Sequence, residues 1–263
     1  MPRPSVISPA QLLRLIGTPD APLLLDVRLP EDLAADPFLV PAARPVPYGE
    51  AGAVRADRPV VVICNRGRKL SEGVAALIRA NGGQAEILEG GQVAWREAGL
   101  PVVPMALVAG TALWVTRHRP KIDRIACPWL IRRFLNPAAR FLFVAPSEVT
   151  AVAERFGATP FDIEGVTFSH RGEQCSFDAL IADFGLSTPA LERLATVVRG
   201  ADTDRHDLAP QAAGLLALSV GLSRQYRDDL EQLEAAMPLY DALYRWARDG
   251  FDEGHDWPAG RAQ

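Results

Sequence analysis

The first hundred residues alternate between short apolar runs and segments with helical spacing. Leu23–Val27, Val60–Ile63 and Ala85–Leu88 are mainly apolar and predict three buried strands. Ser8-Pro9 precedes apolar positions at helical spacing, and the same spacing predicts a helix over Ser71–Ala80. This alternation predicts an α/β domain with a parallel sheet and helices on both faces. In such folds, ligands bind beyond the carboxyl ends of the strands.

The pattern from residue 112 onward is mostly helical. Ala112–Thr116 and Phe141–Val144 predict strands, whereas Phe161–Cys175 is polar and irregular. The remaining segments predict helices near residues 121–135, 147–156, 177–184, 189–199, 209–223 and 227–248. The predicted organisation is an α/β domain (1–104), a linker (105–111), a mostly helical α+β domain (112–250) and a tail (251–263).

Composition restricts the classes of function. The 263 residues suffice for two domains, and the formal net charge of -4 argues against general nucleic-acid binding. The cysteines, Cys64, Cys127 and Cys175, are well separated and odd in number, which favours free thiols in the cytoplasm over a disulfide scaffold. No apolar run follows the N-terminal arginine, so no secretory signal is expected. The uncharged stretch 98–116 approaches the length of a membrane span, but prolines and glycines interrupt it and no membrane association is expected.

The segment that begins at Cys64 carries the clearest chemical signal. Cys64 ends a predicted strand, and Gly67 lies in the loop before the next helix. Backbone N–H groups at a helix N-terminus attract anions, and glycine permits the positive φ that a tight anion-binding loop needs. We therefore expect Cys64 to be a reactive thiolate and the loop to bind a small anionic sulfur donor. The residues expected to bind this donor are Asn65, Arg66, Gly67, Arg68 and Lys69.

Two other interpretations apply to the same loop. A cysteine at a strand end can be inert and buried, although a glycine and three basic residues follow here within five positions. A phosphate monoester could also occupy the loop, as in cysteine phosphatases. Those enzymes usually place a histidine just before the cysteine, where this chain has Ile63.

On these residues the N-terminal segment, from about residue 5 to 104, resembles the rhodanese family. The matching segments are Leu25-Asp26-Val27-Arg28, Val61-Val62-Ile63-Cys64, Gly67, Lys69, Gly82-Gly83, Leu88-Glu89-Gly90-Gly91 and Trp95. The resemblance implies a sulfurtransferase that carries a persulfide on Cys64, held by loop amides and passed to a thiol or to cyanide. No cofactor is required for this transfer. The resemblance also implies that Asp26 and Arg28 are structural and tie the strand end to neighbouring loops.

Basic residues gather at the start of the second half, which is compatible with an anion site or with a solvated helix entry. They are Arg117, Arg119, Lys121 and Arg124. The nearby Cys127 has two interpretations. It could cap a helix that starts at Pro128, which would favour its thiolate. It could instead be buried inside a helix that starts at Asp123 and kinks at Pro128.

A second polar segment offers ligands for a metal. Its members are Asp162, Glu164, His170, Glu173, Cys175 and Asp178. His170, Cys175 and Asp178 combine imidazole, thiolate and carboxylate, and could hold zinc or another transition metal. A turn histidine beside a core cysteine would explain the same residues without a metal. Asp202 and Asp204 could join such a site, or could simply form a polar turn after a helix end.

Taken together, the second half resembles the C-terminal domain of the ChrB chromate-resistance family over about residues 112–250. The segments that carry the resemblance are Trp114-Val115-Thr116-Arg117, Lys121-Ile122-Asp123-Arg124, Cys127-Pro128-Trp129, Ser169-His170, Cys175-Ser176-Phe177-Asp178 and Arg199-Gly200-Ala201-Asp202-Thr203. The resemblance implies a chromate-resistance context and names no reaction.

The sequence thus predicts a rhodanese-type thiosulfate sulfurtransferase whose partners are a small anionic sulfur donor and a thiol acceptor. The alternative is an oxyanion- or metal-binding sensor of the chromate response, in which the rhodanese-like domain is an inactive platform. The sequence leaves the oligomeric state open.

Overall fold

The computed structural model of the chain describes residues 6–108 and 112–254. Residues 1–5, residues 109–111 of the predicted linker and residues 255–263 of the predicted tail lie outside this description. Residues 105–108 of the predicted linker form a short helix. Among the described residues, no helix is long and apolar enough to cross a membrane.

Five parallel strands form the sheet of the N-terminal half, in the order β1-β6-β5-β2-β4. The strands of this half are β1 (Val6–Ile7), β2 (Leu23–Asp26), β3 (Phe38–Leu39), β4 (Ala43–Pro45), β5 (Val60–Ile63), β6 (Ala85–Leu88) and β7 (Val103–Pro104). The short β3 and β7 pair with each other antiparallel, apart from the main sheet. The three predicted strands are confirmed as β2, β5 and β6, and they lie side by side at the sheet centre.

Helices cover both faces of this sheet. They are α1 (Pro9–Leu15), α2 (Pro30–Ala35), α3 (Tyr48–Ala51), α4 (Lys69–Ala80), α5 (Gly91–Glu97) and α6 (Met105–Val108). Successive side chains of β5 point to opposite faces, as the pleat requires. Val62 packs in the cluster that contains Val74 of α4, whereas Val61 packs in a second cluster with Leu12 of α1 and Trp95 of α5. The prediction of a parallel sheet with helices on both faces is confirmed.

The C-terminal half is mostly helical around a small parallel sheet. Its strands are β8 (Leu113–Arg117), β9 (Arg140–Val144) and β10 (Thr159–Pro160), with β8 in the centre. Its α-helices are α7 (Asp123–Leu130), α8 (Val149–Phe156), α9 (Ser176–Asp183), α10 (Pro189–Asp202), α11 (Gln211–Gln225) and α12 (Asp229–Arg245). Shorter helical turns lie at Ile131–Leu135, Pro146–Glu148, His206–Leu208 and Trp246–Gly250. Helix α10 runs beyond its predicted end and therefore carries Asp202 in its last turn.

The helix α7 decides between the two interpretations of Cys127. It begins at Asp123 and contains Pro128, so Cys127 lies inside the helix and does not cap it. The side chain of Cys127 is fully buried. Burial, followed by the charge of the nearby Asp123, raises the pKa of this thiol well above its usual value, so Cys127 is not an activated nucleophile.

The two halves of the chain share one hydrophobic core. The cluster that contains Leu12 and Trp95 continues into the second half through residues such as Phe134. The backbone N–H of Ala42 donates a hydrogen bond of 2.6 Å to the carbonyl of Phe134. A guanidinium nitrogen of Arg248 donates one of 2.7 Å to the carbonyl of Arg14. The halves are therefore joined by packing as well as by the chain.

Candidate functional site

Cys64 directly follows β5 at its carboxyl end, where the fold predicts a ligand site. Its side chain is 5% exposed. The backbone N–H of Arg68 donates to its Sγ atom over 3.3 Å, and the Ser71 hydroxyl oxygen lies 3.2 Å from the same sulfur. Both contacts come from the start of α4, where unpaired N–H groups favour negative charge. The sulfur of Cys64 thus accepts a hydrogen bond from the first backbone N–H group before α4.

Two glycines shape the loop around Cys64. Gly67 has φ +62° and Gly91 has φ +62°, a region that other L-residues rarely adopt. A Cβ atom on Gly91 would overlap the carbonyl oxygen of Cys64. The backbone N–H groups that follow Gly91 hold the loop instead, with Gln92 donating to the Cys64 carbonyl over 3.0 Å and Val93 to the Asn65 carbonyl over 3.1 Å. The Gly90-Gly91 segment is therefore the support beneath the loop.

Of the polar side chains in the Cys64 loop, one makes a hydrogen bond to a neighbouring helix and three are exposed to solvent. The Asn65 amide donates to the Asp32 carboxylate over 2.8 Å and so ties the loop to α2. The side chains of Arg66, Arg68 and Lys69 are exposed. They bring positive charge to the mouth of the loop without taking part in its packing.

Asp26 and Arg28 form a buried ion pair at the end of the neighbouring strand β2. The closest pair of atoms is 2.7 Å apart, and neither side chain is exposed. Arg28 also donates to the backbone carbonyls of Asp36 (3.0 Å) and Phe38 (2.6 Å). The pair is fully hydrogen-bonded and holds the loop between α2 and β3 against the sheet, without contacting Cys64 in the described hydrogen-bond network.

A second cluster of chemically active groups surrounds His170 in the C-terminal half. The Nε2 atom of His170 lies 3.3 Å from a carboxylate oxygen of Asp123, 3.4 Å from one of Asp162 and 3.2 Å from one of Asp202. Asp123 and Asp162 are almost fully buried, whereas the His170 side chain is 42% exposed. Three carboxylates therefore converge on one imidazole nitrogen at the edge of the domain core.

The carboxylate of Asp162 is held firmly in this cluster. Its Oδ2 atom accepts a hydrogen bond from Arg117 over 2.7 Å and lies 3.2 Å from the Nε atom of Arg124. Its Oδ1 atom, the one that faces His170, accepts from the Ser176 hydroxyl over 2.9 Å. The predicted site residue Arg124 therefore belongs to this cluster.

The pKa values of the cluster reflect its crowding. Burial and the charge of Asp123 raise the pKa of Asp202 to about 8. Burial likewise raises the pKa of Asp123. Burial also acts to raise the pKa of Asp162, but hydrogen bonds from His170 and Arg117 bring it below its usual value. Hydrogen bonds to Asp123 and Asp162 raise the pKa of His170 to about 10. Such perturbed groups are typical of functional sites.

The three residues that the sequence suggested as metal ligands do not form one group in the structure. His170 belongs to the cluster with Asp123 and Asp162, whereas Cys175 and Asp178 contact each other at the start of α9. The Asp178 carboxylate also accepts a hydrogen bond of 2.6 Å from Arg199. Burial raises the pKa of the Cys175 thiol. The described groups that contact His170 are thus the carboxylate of Asp162, from the same loop, and those of Asp123 and Asp202, from α7 and α10.

Comparisons with known proteins match the two halves of the chain to different relatives. The sulfurtransferase of Allochromatium vinosum is 33% identical over 94 residues, which are 34% of this chain and 85% of the relative. The rhodanese-related protein of Thermoplasma volcanium has a solved structure with 27% identity and a TM-score of 0.33, covering 38% of this chain and 97% of that one. The sheet, the Cys64 loop and the sulfurtransferase relative define the N-terminal half as a rhodanese-like sulfurtransferase domain.

The second half identifies the family of the whole chain. The family model "ChrB, C-terminal domain" matches residues 114–247, about half of the chain. The protein ChrB of Cupriavidus metallidurans is 36% identical over 132 residues, which are 50% of this chain. The matched segment spans only 39% of that ChrB. The chain belongs to the ChrB C-terminal domain family, and in it this domain is fused to a rhodanese-like domain.

Proposed function

We propose that this protein is a thiosulfate-type sulfurtransferase that carries sulfane sulfur as a persulfide on Cys64, in the context of chromate resistance. The observation that carries the proposal is the environment of the Cys64 sulfur. A backbone N–H and a hydroxyl group contact it at the N-terminus of a helix, and three exposed basic side chains lie around the loop. The sulfurtransferase relative supports the same reaction class.

The transfer takes place in two displacements. The Cys64 thiolate attacks the outer sulfur of thiosulfate, the S–S bond of the donor breaks, and sulfite leaves with the electron pair. The thiolate of an acceptor then attacks the outer sulfur of the Cys64 persulfide and takes that sulfur as its own persulfide, and Cys64 returns to the thiolate. Exposed Arg66, Arg68 and Lys69 attract the anionic donor, and the loop N–H groups stabilise the persulfide anion. Neither step needs a cofactor.

Intact mass measurement after incubation with thiosulfate tests the proposal. We expect one added sulfur atom on the wild-type chain and none on Cys64→Ser, while a cyanide wash removes the sulfur from the wild type. Cys127→Ala and Cys175→Ala are matched controls and should take up one sulfur atom on Cys64 like the wild type. Burial raises the pKa of both removed thiols, so neither should carry the sulfur. Loading of Cys64→Ser, or no loading of a folded wild type, would contradict the proposal.

A second function rests on the surface beside the His170 cluster. A cleft there is lined by Arg117, Asp162, Glu164, Ser169 and His170, with a volume of about 320 Å³. Cationic and anionic side chains lie together in this cleft, which supports an oxyanion- or metal-binding sensor in which the rhodanese-like domain is an inactive platform. A thermal shift with sulfate or chromate that is lost in Arg117→Ala, together with no sulfur loading of Cys64, would favour this function over sulfur transfer.

A further inference from the structure

The geometry points to a binding site for one divalent first-row transition metal, such as zinc, held by Asp123, Asp162 and His170. This inference does not depend on sulfur transfer at Cys64. Asp123 is the first residue of α7, whereas Asp162 and His170 both lie in the loop between β10 and α9, and only the folded chain brings α7 to that loop. One ligand atom from each lies within 4.8 Å of the other two.

The distances between the ligand atoms of the cluster match those between the ligands of one metal ion, and they are long for hydrogen bonds. The Nε2 atom of His170 lies 3.3 Å from the Asp123 oxygen and 3.4 Å from the Asp162 oxygen. Ligand atoms at about 2.0 Å from a tetrahedral zinc ion are separated by roughly 3.3 Å. N–H···O hydrogen bonds are usually about 2.9 Å, and a single N–H cannot donate well to three carboxylates at once.

The two oxygens of Asp162 have different roles. The oxygen Oδ2 is held by Arg117 and Arg124, while Oδ1 faces His170 and is oriented by the Ser176 hydroxyl. Outer partners of this kind fix a ligating carboxylate in one orientation, as is usual around bound metals.

A separate observation beneath the cluster also points to a ligand. Cys127 lies four residues after Asp123 on α7, so both side chains are on the same face of the helix. The Cys127 side chain is fully buried, and its thiol makes no hydrogen bond within residues 6–108 and 112–254. The charges of Asp123 and Asp162 act on this thiol, although its sulfur lies outside the compact three-ligand group. A buried thiol beside such a cluster is a donor that zinc accepts and that calcium or magnesium does not.

The choice of metal follows from the ligand types. An imidazole beside carboxylates favours zinc, manganese, iron or cobalt over the hard cations. Asp202 lies 3.2 Å from His170 but outside the compact three-ligand group. Its carboxylate is placed to accept a hydrogen bond from a water molecule on the metal or to approach as a further ligand.

Zinc titration of the purified full-length chain tests the site. After removal of metal with a chelator, the wild type should bind one equivalent of zinc in competition with a chromophoric chelator. His170→Gln and Asp123→Asn should weaken zinc binding by at least about 100-fold. His118→Gln and Asp207→Asn are matched controls, because both side chains are exposed and lie outside the cluster. These controls should bind zinc like the wild type.

Cobalt provides a second readout that does not depend on a variant. The wild type loaded with one equivalent of cobalt should show the intense visible absorption of a four- or five-coordinate site. His170→Gln should lose this absorption while its circular dichroism is unchanged. The His170 side chain is partly exposed, so its replacement should disturb the fold little. The inference is overturned when the folded wild type binds no equivalent of zinc. It is also overturned when folded His170→Gln binds zinc as tightly as the wild type.

Discussion

At the scale of single residues, the side chain of Ser71 contacts the Cys64 sulfur and can change its reactivity. The Ser71 hydroxyl lies 3.2 Å from Sγ and 2.9 Å from the Arg68 carbonyl oxygen. A hydroxyl has one proton, so Ser71 can donate either to the backbone or to the sulfur. When Cys64 is a thiolate, the charge-assisted bond to sulfur is the stronger one, and Ser71 then acts as a positioning residue for the nucleophile.

Removing this hydroxyl should slow sulfur uptake without weakening donor binding. For Ser71→Ala we expect the limiting rate of persulfide formation from thiosulfate to fall about tenfold, the size of one charge-assisted hydrogen bond. The thiosulfate concentration at half-maximal rate should change little. Stopped-flow measurement followed by mass analysis provides both values. Glu72→Ala, an exposed neighbour on α4, is the control. A purely structural role of Ser71 would leave the rate of the folded variant unchanged.

The Cys64 site and the His170 cluster differ in how well the sequence alone predicts them. Cys64, its loop and the start of α4 are adjacent in sequence, so the residue order alone indicated an anion-binding thiol. The His170 cluster joins one polar loop, which holds Asp162 and His170, to Asp123 and Asp202, which lie tens of residues before and after it. The sequence placed Asp162, His170, Cys175 and Asp178 in one polar segment and suggested His170, Cys175 and Asp178 as ligands because they combine imidazole, thiolate and carboxylate. It could not connect Asp123 with them, because that residue lies far away along the chain.

At the scale of elements, length decided what the sequence could show. The runs that became β2, β5 and β6 are long enough to carry an apolar pattern, and they were predicted correctly. Strands of two or three residues, such as β1 and β4, have no measurable periodicity and were missed. In the small sheet of β8, β9 and β10, two strands, β8 and β9, were predicted. Their parallel pairing was not predicted, because it depends on helices that fold between them.

The support beneath the Cys64 loop leads to a prediction about two glycines. Gly91→Ala should lower the free energy of unfolding by more than about 2 kcal/mol, because alanine is disfavoured at φ +62° and its Cβ would overlap the Cys64 carbonyl. Gly73→Ala, in open space within α4, should raise it by about 0.5–1 kcal/mol. Urea denaturation measures both. Equal effects of the two substitutions would show that Gly91 does not support the loop.

At the scale of the whole molecule, one face of the N-terminal sheet is completed by the other half of the chain. Gly17 follows α1 with φ +83°, and a Cβ on it would overlap the ring of Phe134 and come within 2.8 Å of that of Tyr244. Those two rings are perpendicular to each other at 5.5 Å, within the shared core. Since burial of such rings contributes strongly to stability, the two halves should lose their structure together.

Phe134→Ala tests this coupling, because Phe134 lies in the C-terminal half and packs against the N-terminal one. The substitution should cost about 3–5 kcal/mol of unfolding free energy. It should also accelerate hydrogen exchange of the central amides of β5, Val61 and Val62, which open only when the sheet unfolds. Phe156→Ala is the control, since Phe156 is 65% exposed in the same half. If the β5 amides exchange at the wild-type rate in Phe134→Ala, the halves unfold independently. If they accelerate in step with the loss of stability, the rhodanese-like domain depends for its stability on the domain that it is fused to.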